Sequence, residues 1–116
     1  MAENHSHTVP GGRGYWLTEK LWAAAEGLPV IQVAIADIPE FEQDCWFRGH
    51  GPNIRQVAEH ARRILDADLS HPVILSWDGR LMDGGHRIAK AWLEGRTHVD
   101  AVRFVTDPPP EKIISD

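Results

Sequence analysis

The sequence predicts a small mixed α/β domain, and three observations carry that expectation. Apolar residues alternate in some stretches, as in Ile31, Val33 and Ile35, and recur at helical spacing in others, as in Ile54, Val57, Ala58, Ala61, Ile64 and Leu65. Asp78-Gly79 falls between two apolar runs, as a hairpin turn does. The length of 116 residues suits one core and is short for two. With 42% hydrophobic and 25% charged residues, the composition speaks against general disorder and against a fibrous chain.

The elements follow in order. Residues 1–14 hold Pro10, Gly11, Gly12 and Gly14 with little apolar surface, and are expected to form a flexible arm. Thr18 is placed to cap a short helix through Glu26, with Gly27 and Pro29 to stop it. Val30 to Ile38 reads as a half-buried strand, and Pro39 to Pro52 as an irregular loop rich in acids and aromatics. Asn53 and Gln56 have the spacing of a capping box, opening a helix whose apolar stripe is expected to face the core.

Pro72 to Trp77 reads as a strand, Asp78-Gly79 as a type I′ turn, and Arg80 to Asp83 as the returning strand. A further helix is expected just after Gly84, presenting Ile88, Ala89, Trp92 and Leu93 to the core and ending at a left-handed Gly95. His98 to Val105 is the last strand. The domain proper is therefore expected over 15–106, followed by an extended Pro-rich tail over 107–116.

The segment Asp83-Gly84-Gly85-His86-Arg87 is the most informative for function, because a strand ends, two glycines permit a tight turn and a helix begins. A helix start offers unpaired N–H groups and the positive end of a dipole, and glycines let a phosphate approach them. His86 and Arg87 on the first turn are placed to add charge-assisted hydrogen bonds. Asp83 is placed to hold a Mg²⁺ ion, to accept a proton from an attacking hydroxyl, or to cap the turn.

The stretch WDGRLMDGGHRIAKAWLEG resembles the ParB/sulfiredoxin superfamily, in which a hairpin leads into a DGxHR or GxxR motif that holds nucleotide phosphates. The likeness extends more loosely over residues 30–105, and LPVIQV, DCWF and VAEHARRILDADLSHPVIL are similar to stretches of small stand-alone bacterial ParB-like proteins. The resemblance implies phosphate contacts at Gly84, Gly85, His86 and Arg87, and a catalytic and metal-binding role for Asp83, as in ParB-like free-serine kinases. A nucleoside triphosphate with Mg²⁺ is the ligand it implies, with Mg-dependent phosphoryl transfer or nucleotide hydrolysis as the enzymatic reading. A nucleotide or metabolite sensor that passes its state to a protein partner is the alternative, and a ParB-like nuclease a third.

Departures from the pattern narrow this. Gly85 stands where sulfiredoxins place their catalytic cysteine, so sulfinic acid reduction is not expected. Only a short tail follows residue 105, which leaves no room for the helix-turn-helix of a centromere-binding ParB, and sequence-specific DNA binding is not expected. A net charge of -5 also weighs against a broad nucleic-acid track, for which only Arg55, Arg62 and Arg63 suggest a stripe.

Cys45 has Asp44 and Trp46 as neighbours, neither of which lowers a thiol pKa, and is expected to be a buried or half-buried structural residue. Glu40, Glu42 and Asp44 are candidates for a general base, with nothing in their spacing to choose between them. Trp46 and Phe47 are candidates to stack on a base or to join the core. His5 and His7 are spaced to catch a metal ion, though two histidines in a flexible tail are more often incidental, and the scattered His50, His60, His71 and His98 show no metal-ligand spacing. No apolar run is long enough to span a bilayer and the first residues lack a secretory pattern, so a cytoplasmic protein without a membrane contact is expected.

Overall fold

A computed structural model describes residues 4–115. It is a mixed α/β domain with three α-helices and two sheets. Its elements are β1 (Asn4–Val9), β2 (Gly12–Leu17), α1 (Thr18–Ala25), β3 (Ile31–Ala34), α2 (Ile54–Asp66), β4 (Val73–Leu75), β5 (Leu81–Asp83), α3 (Gly85–Leu93), β6 (His98–Arg103) and β7 (Lys112–Ile114). Two 3-10 turns, Ile35–Asp37 and Pro39–Glu42, lead from β3 into the irregular loop.

The larger sheet has the order β3-β6-β4-β5. β4 runs parallel to β6, while β3 pairs with β6 and β5 with β4 in antiparallel fashion. All three residues of β4 are buried because both faces of the sheet are covered, so the run Val73-Ile74-Leu75 is continuously apolar. Val73 and Leu75 join Val99, Ala101, Ile88 and Ala91 beneath α3. Ile74 and Val102 turn to the other face and pack with Met82, Leu21 of α1 and Trp16 of β2.

The smaller sheet, β1-β2-β7, overturns the expectation of a flexible arm over the described residues 4–14. Asn4 pairs with Leu17 and Val9 with Gly12 across a hairpin, and the tail returns as β7 along β2. Trp16 Nε1 donates to Pro108 O (2.8 Å) and Glu111 N to Tyr15 O (2.7 Å), so arm and tail belong to the domain, and its expected limits of 15–106 are too narrow. The tail is extended as expected, and as an edge strand it needs no place inside a sheet.

Other expectations are corrected in detail. Thr18 is the first residue of α1 and makes no side-chain cap; Leu17 precedes it in extended conformation. The strand expected over Val30 to Ile38 ends at Ala34, where the chain turns into a 3-10 segment that buries Ile35. Asp78-Gly79 is not a type I′ turn, because only Gly79 has positive φ (+86°). Gly79 N donates to Ser76 O and Ser76 N to Arg80 O, the pattern of a longer hairpin loop closed by a left-handed glycine.

The capping box of Asn53 and Gln56 is present and starts α2 as the sequence predicts. The stripe behind it is not in the core: α2 has no buried residue, and Ile54 is 90% and Leu65 72% exposed. On α3, Ile88 and Ala91 are buried, whereas Trp92 and Leu93 are exposed, because α3 sits on the sheet through the side facing Val73 and Val99.

Candidate functional site

A cleft of about 1610 Å³ runs between the β1–β2 hairpin, the loop after Pro39 and the start of α3. Asp83, Gly84, Gly85 and His86 line it together with Glu40, Asp44, Cys45, Trp46 and Phe47 of the loop. Arg13, Arg48, Arg63 and Arg80 complete its wall. Arg87 and Glu42 are not among its lining residues.

The floor of the cleft is built by the glycine turn. Gly84 has φ +115°, a left-handed backbone that L side chains rarely adopt, and an added Cβ would lie 2.6 Å from Val73 Cγ1. Only glycine at this position lets β5 pass directly into α3. No side chain caps α3, so the amides of its first turn lack the side-chain acceptor that Asn53 gives α2.

Arg87 is turned away from the cleft. Its Nη1 donates to Pro72 O (2.5 Å) and His71 O (3.3 Å), and its Nη2 to Asp83 Oδ2 (2.6 Å). Asp83 Oδ2 also accepts from Trp22 Nε1 at 2.8 Å. With each side chain 17% exposed, the pair clamps the end of β5 to α3 and to the start of β4. The expected ligand contact of Arg87 is thus replaced by a structural one in this conformation, and Asp83 is engaged by two donors.

His86 faces the loop. Its Nε2 lies 2.8 Å from Nδ1 of His60 on α2, and the Trp46 ring stacks on His86 at 4.6 Å (6°) and on His60 at 4.7 Å (18°). Burial, followed by the nearby His60 and Arg63, lowers the His86 pKa to about 4. Burial likewise lowers that of His60. His86 is therefore neutral at pH 7 and offers a hydrogen bond rather than a positive charge.

The cationic component comes from residues that sequence reasoning did not single out. Arg13 Nε and Arg48 Nη2 both donate to Ser6 Oγ, at 2.9 and 3.1 Å. Among the described residues neither guanidinium has a carboxylate partner. Arg80 pairs with Asp78 (2.9 Å) and donates to Thr8 O (3.0 Å), pinning β1 beside the β4–β5 hairpin. Once residues 4–14 are taken for a mobile arm, Arg13 cannot be placed in any site, and no sequence spacing brings it near Arg48.

Two of the loop acids, Glu40 and Asp44, accept backbone hydrogen bonds. Glu40 Oε1 accepts from Leu81 N (3.0 Å), and Asp44 accepts from Phe47 N and Gly49 N, bonds that hold its pKa below the usual carboxylate range. Cys45 is exposed rather than core, and its pKa is raised by partial burial and by Glu40 and Asp44. Among the described residues no three His, Cys, Asp or Glu side chains gather as a metal-binding group. The described helices include none long and apolar enough to cross a membrane. A scan of the chain against family models matches none, and comparisons with curated proteins and with solved structures find no significant match.

Proposed function

We propose that the protein binds a phosphate-bearing small molecule, a nucleotide by preference, across this cleft. The observation that carries the proposal is the convergence of Arg13 and Arg48 on Ser6, without a carboxylate partner among the described residues, in the same cleft as the uncapped start of α3. Two guanidinium groups without a counter-ion attract an anion, and first-turn amides bordered by glycine suit phosphate oxygens. Neutral His86 adds a hydrogen bond. The resemblance of the Trp77-to-Gly95 stretch to ParB/sulfiredoxin proteins is what supports a nucleotide as the phosphate carrier.

Binding without turnover is the reading the side chains favour. Asp83 is bonded by Arg87 and Trp22, Glu40 by the β5 backbone and Asp44 by its own loop, which leaves no unengaged carboxylate among the described residues that line the cleft. The residues present are also a poor fit for a protein-held Mg²⁺, since among the described residues no three His, Cys, Asp or Glu side chains gather as a metal-binding group and Asp83 lies beside the charge of Arg87. A metal brought by the nucleotide's own phosphates is compatible with such a cleft.

Calorimetric titration with pyrophosphate, ADP and ATP, each with and without Mg²⁺, tests the proposal. Saturable binding that weakens in Arg48→Ala and in Arg13→Ala by about 1.5 to 3 kcal/mol each is expected for charge-assisted bonds. Binding by neither nucleotides nor pyrophosphate would remove the reading. Product accumulation would replace the sensor with a phosphotransferase or hydrolase that uses Asp83, Glu40 or Asp44.

A further inference from the structure

We infer that the exposed stripe of α2 is a docking surface for a second copy of this chain, with the two α2 helices packed antiparallel about a two-fold axis. Three observations point there. The helix is strongly amphipathic, yet its apolar side faces outward, with Ile54, Ala58, Ala61 and Leu65 all exposed along one line. His60, Ile64 and Ala67, on one flank of that line, are half-buried, where His60 meets His86 and Lys90 Nζ bonds to Ala67 O. The covering that α3 supplies therefore stops short of the stripe.

The stripe reads the same in both directions. Its spacings are four, three and four residues, and its sizes run large, small, small, large. Reversal of a second helix places Ile54 against Leu65 and Ala58 against Ala61, and the small central pair lets the backbones approach. An isologous interface requires this self-complementarity, in which each residue meets the partner of its own partner.

The remaining flank repeats the same spacing with charge. Arg55, Glu59, Arg62 and Asp66 alternate in sign, and among the described residues none pairs with an opposite charge. About a two-fold axis this flank of each helix lies on the same side, so Arg55 comes opposite Asp66 of the second copy and Glu59 opposite its Arg62. Four opposite-sign pairs result. Two positive and two negative residues on the flank give it no net attraction for anionic lipid, which separates it from a membrane-surface helix.

The contact is small. A 13-residue helix is about 20 Å long and 10 Å wide, less than the roughly 800 Å² per partner of a standard interface, so association is expected to be weak and concentration-dependent. Analytical ultracentrifugation of the full chain from about 1 µM to 1 mM should show the mass rise from that of a monomer toward a dimer across this range. Ala61→Glu, at an exposed position, should keep the thermal melt of the monomer and abolish the rise. Glu59→Arg should weaken association roughly tenfold, and adding Arg62→Glu in the same chain should restore it, because the swap rebuilds each pair with its sign reversed. A monomer at every concentration would overturn the inference, as would association indifferent to Ala61→Glu or a double variant no better than the single one. Co-sedimentation with vesicles of anionic lipid in place of self-association would equally overturn it.

Discussion

His60 Nδ1 and His86 Nε2 lie 2.8 Å apart, and the indole of Trp46 covers both rings. Three segments, the loop, α2 and the start of α3, are joined at this point. A His–His hydrogen bond needs one ring to donate and the other to accept, so protonating the acceptor breaks it. The first prediction follows from that. The pKa of His86 in the folded chain, about 4, lies below its ordinary value of 6.5. Between those values the unfolded chain binds more protons than the folded one, so stability is fully present above pH 6.5 and falls as pH drops toward 4. His5, lowered to about 3 chiefly by burial, acts in the same direction and extends the loss below pH 4. Thermal melts from pH 7.5 to 4 should show a falling midpoint. Imidazole NMR should place His86 well below 6.5, with an upward move in His60→Ala. A flat stability profile would show that the pair is not closed in solution.

Arg87 separates a structural from a ligand-binding role. Its guanidinium bonds to two carbonyls and to Asp83, with the ion pair 17% exposed on both sides. Arg87→Ala leaves the Pro72 carbonyl and the Asp83 carboxylate short of a donor, and should cost about 2 to 4 kcal/mol of stability. Chemical denaturation measures this. If the fold loses little while phosphate affinity collapses, Arg87 must swing into the cleft when ligand binds.

The two glycines of the turn should behave differently. Gly84→Ala forces a Cβ into Val73 and a side chain onto a φ of +115°, and should destabilise by about 2 to 5 kcal/mol. Gly85 begins α3 without positive φ, and an added Cβ is tight only against Trp46 Nε1, at 3.3 Å, with Trp46 Cζ2 at 3.7 Å and Leu81 Cδ2 at 3.8 Å in ordinary contact. Gly85→Ala should therefore change the melt by less than about 1 kcal/mol while displacing Trp46, seen as a change in indole fluorescence. Equal destabilisation by both would contradict this turn geometry.

Much of the central chain was legible because its signals are local. The capping box at Asn53 and Gln56, the left-handed Gly95 and the start of α3 at Gly85 each depend on residues within one turn. The terminal sheet was not, because its glycines carry two opposite meanings. Gly12 leaves room for the Ile114 carbonyl and Gly14 for the Trp16 ring, so glycines that suggest a flexible arm in fact permit close approach. The stripe of α2 shows a related limit: periodicity identifies an apolar face and says nothing of what covers it. Likewise Arg13, Arg48 and Trp46 come to the cleft, and His60 to His86 at its edge, through pairings between separate segments, for which no spacing rule exists.

Cys45 tests the loop that carries Trp46. The residue is exposed, so access alone would make its thiol reactive. Partial burial of the sulfur, with Glu40 and Asp44 close by, raises its pKa above the ordinary value, and the thiolate is the reacting species. Alkylation by iodoacetamide at pH 7 should therefore run several-fold slower than for an unstructured thiol. Asp44→Asn removes one of the nearby negative charges and weakens acceptance of the Phe47 and Gly49 amides. Its expected effect is faster alkylation, with Trp46 loosened from His86. An alkylation rate already equal to that of a free thiol in the unaltered protein would mean that the loop does not rest against the turn, and the cleft would lose its aromatic wall.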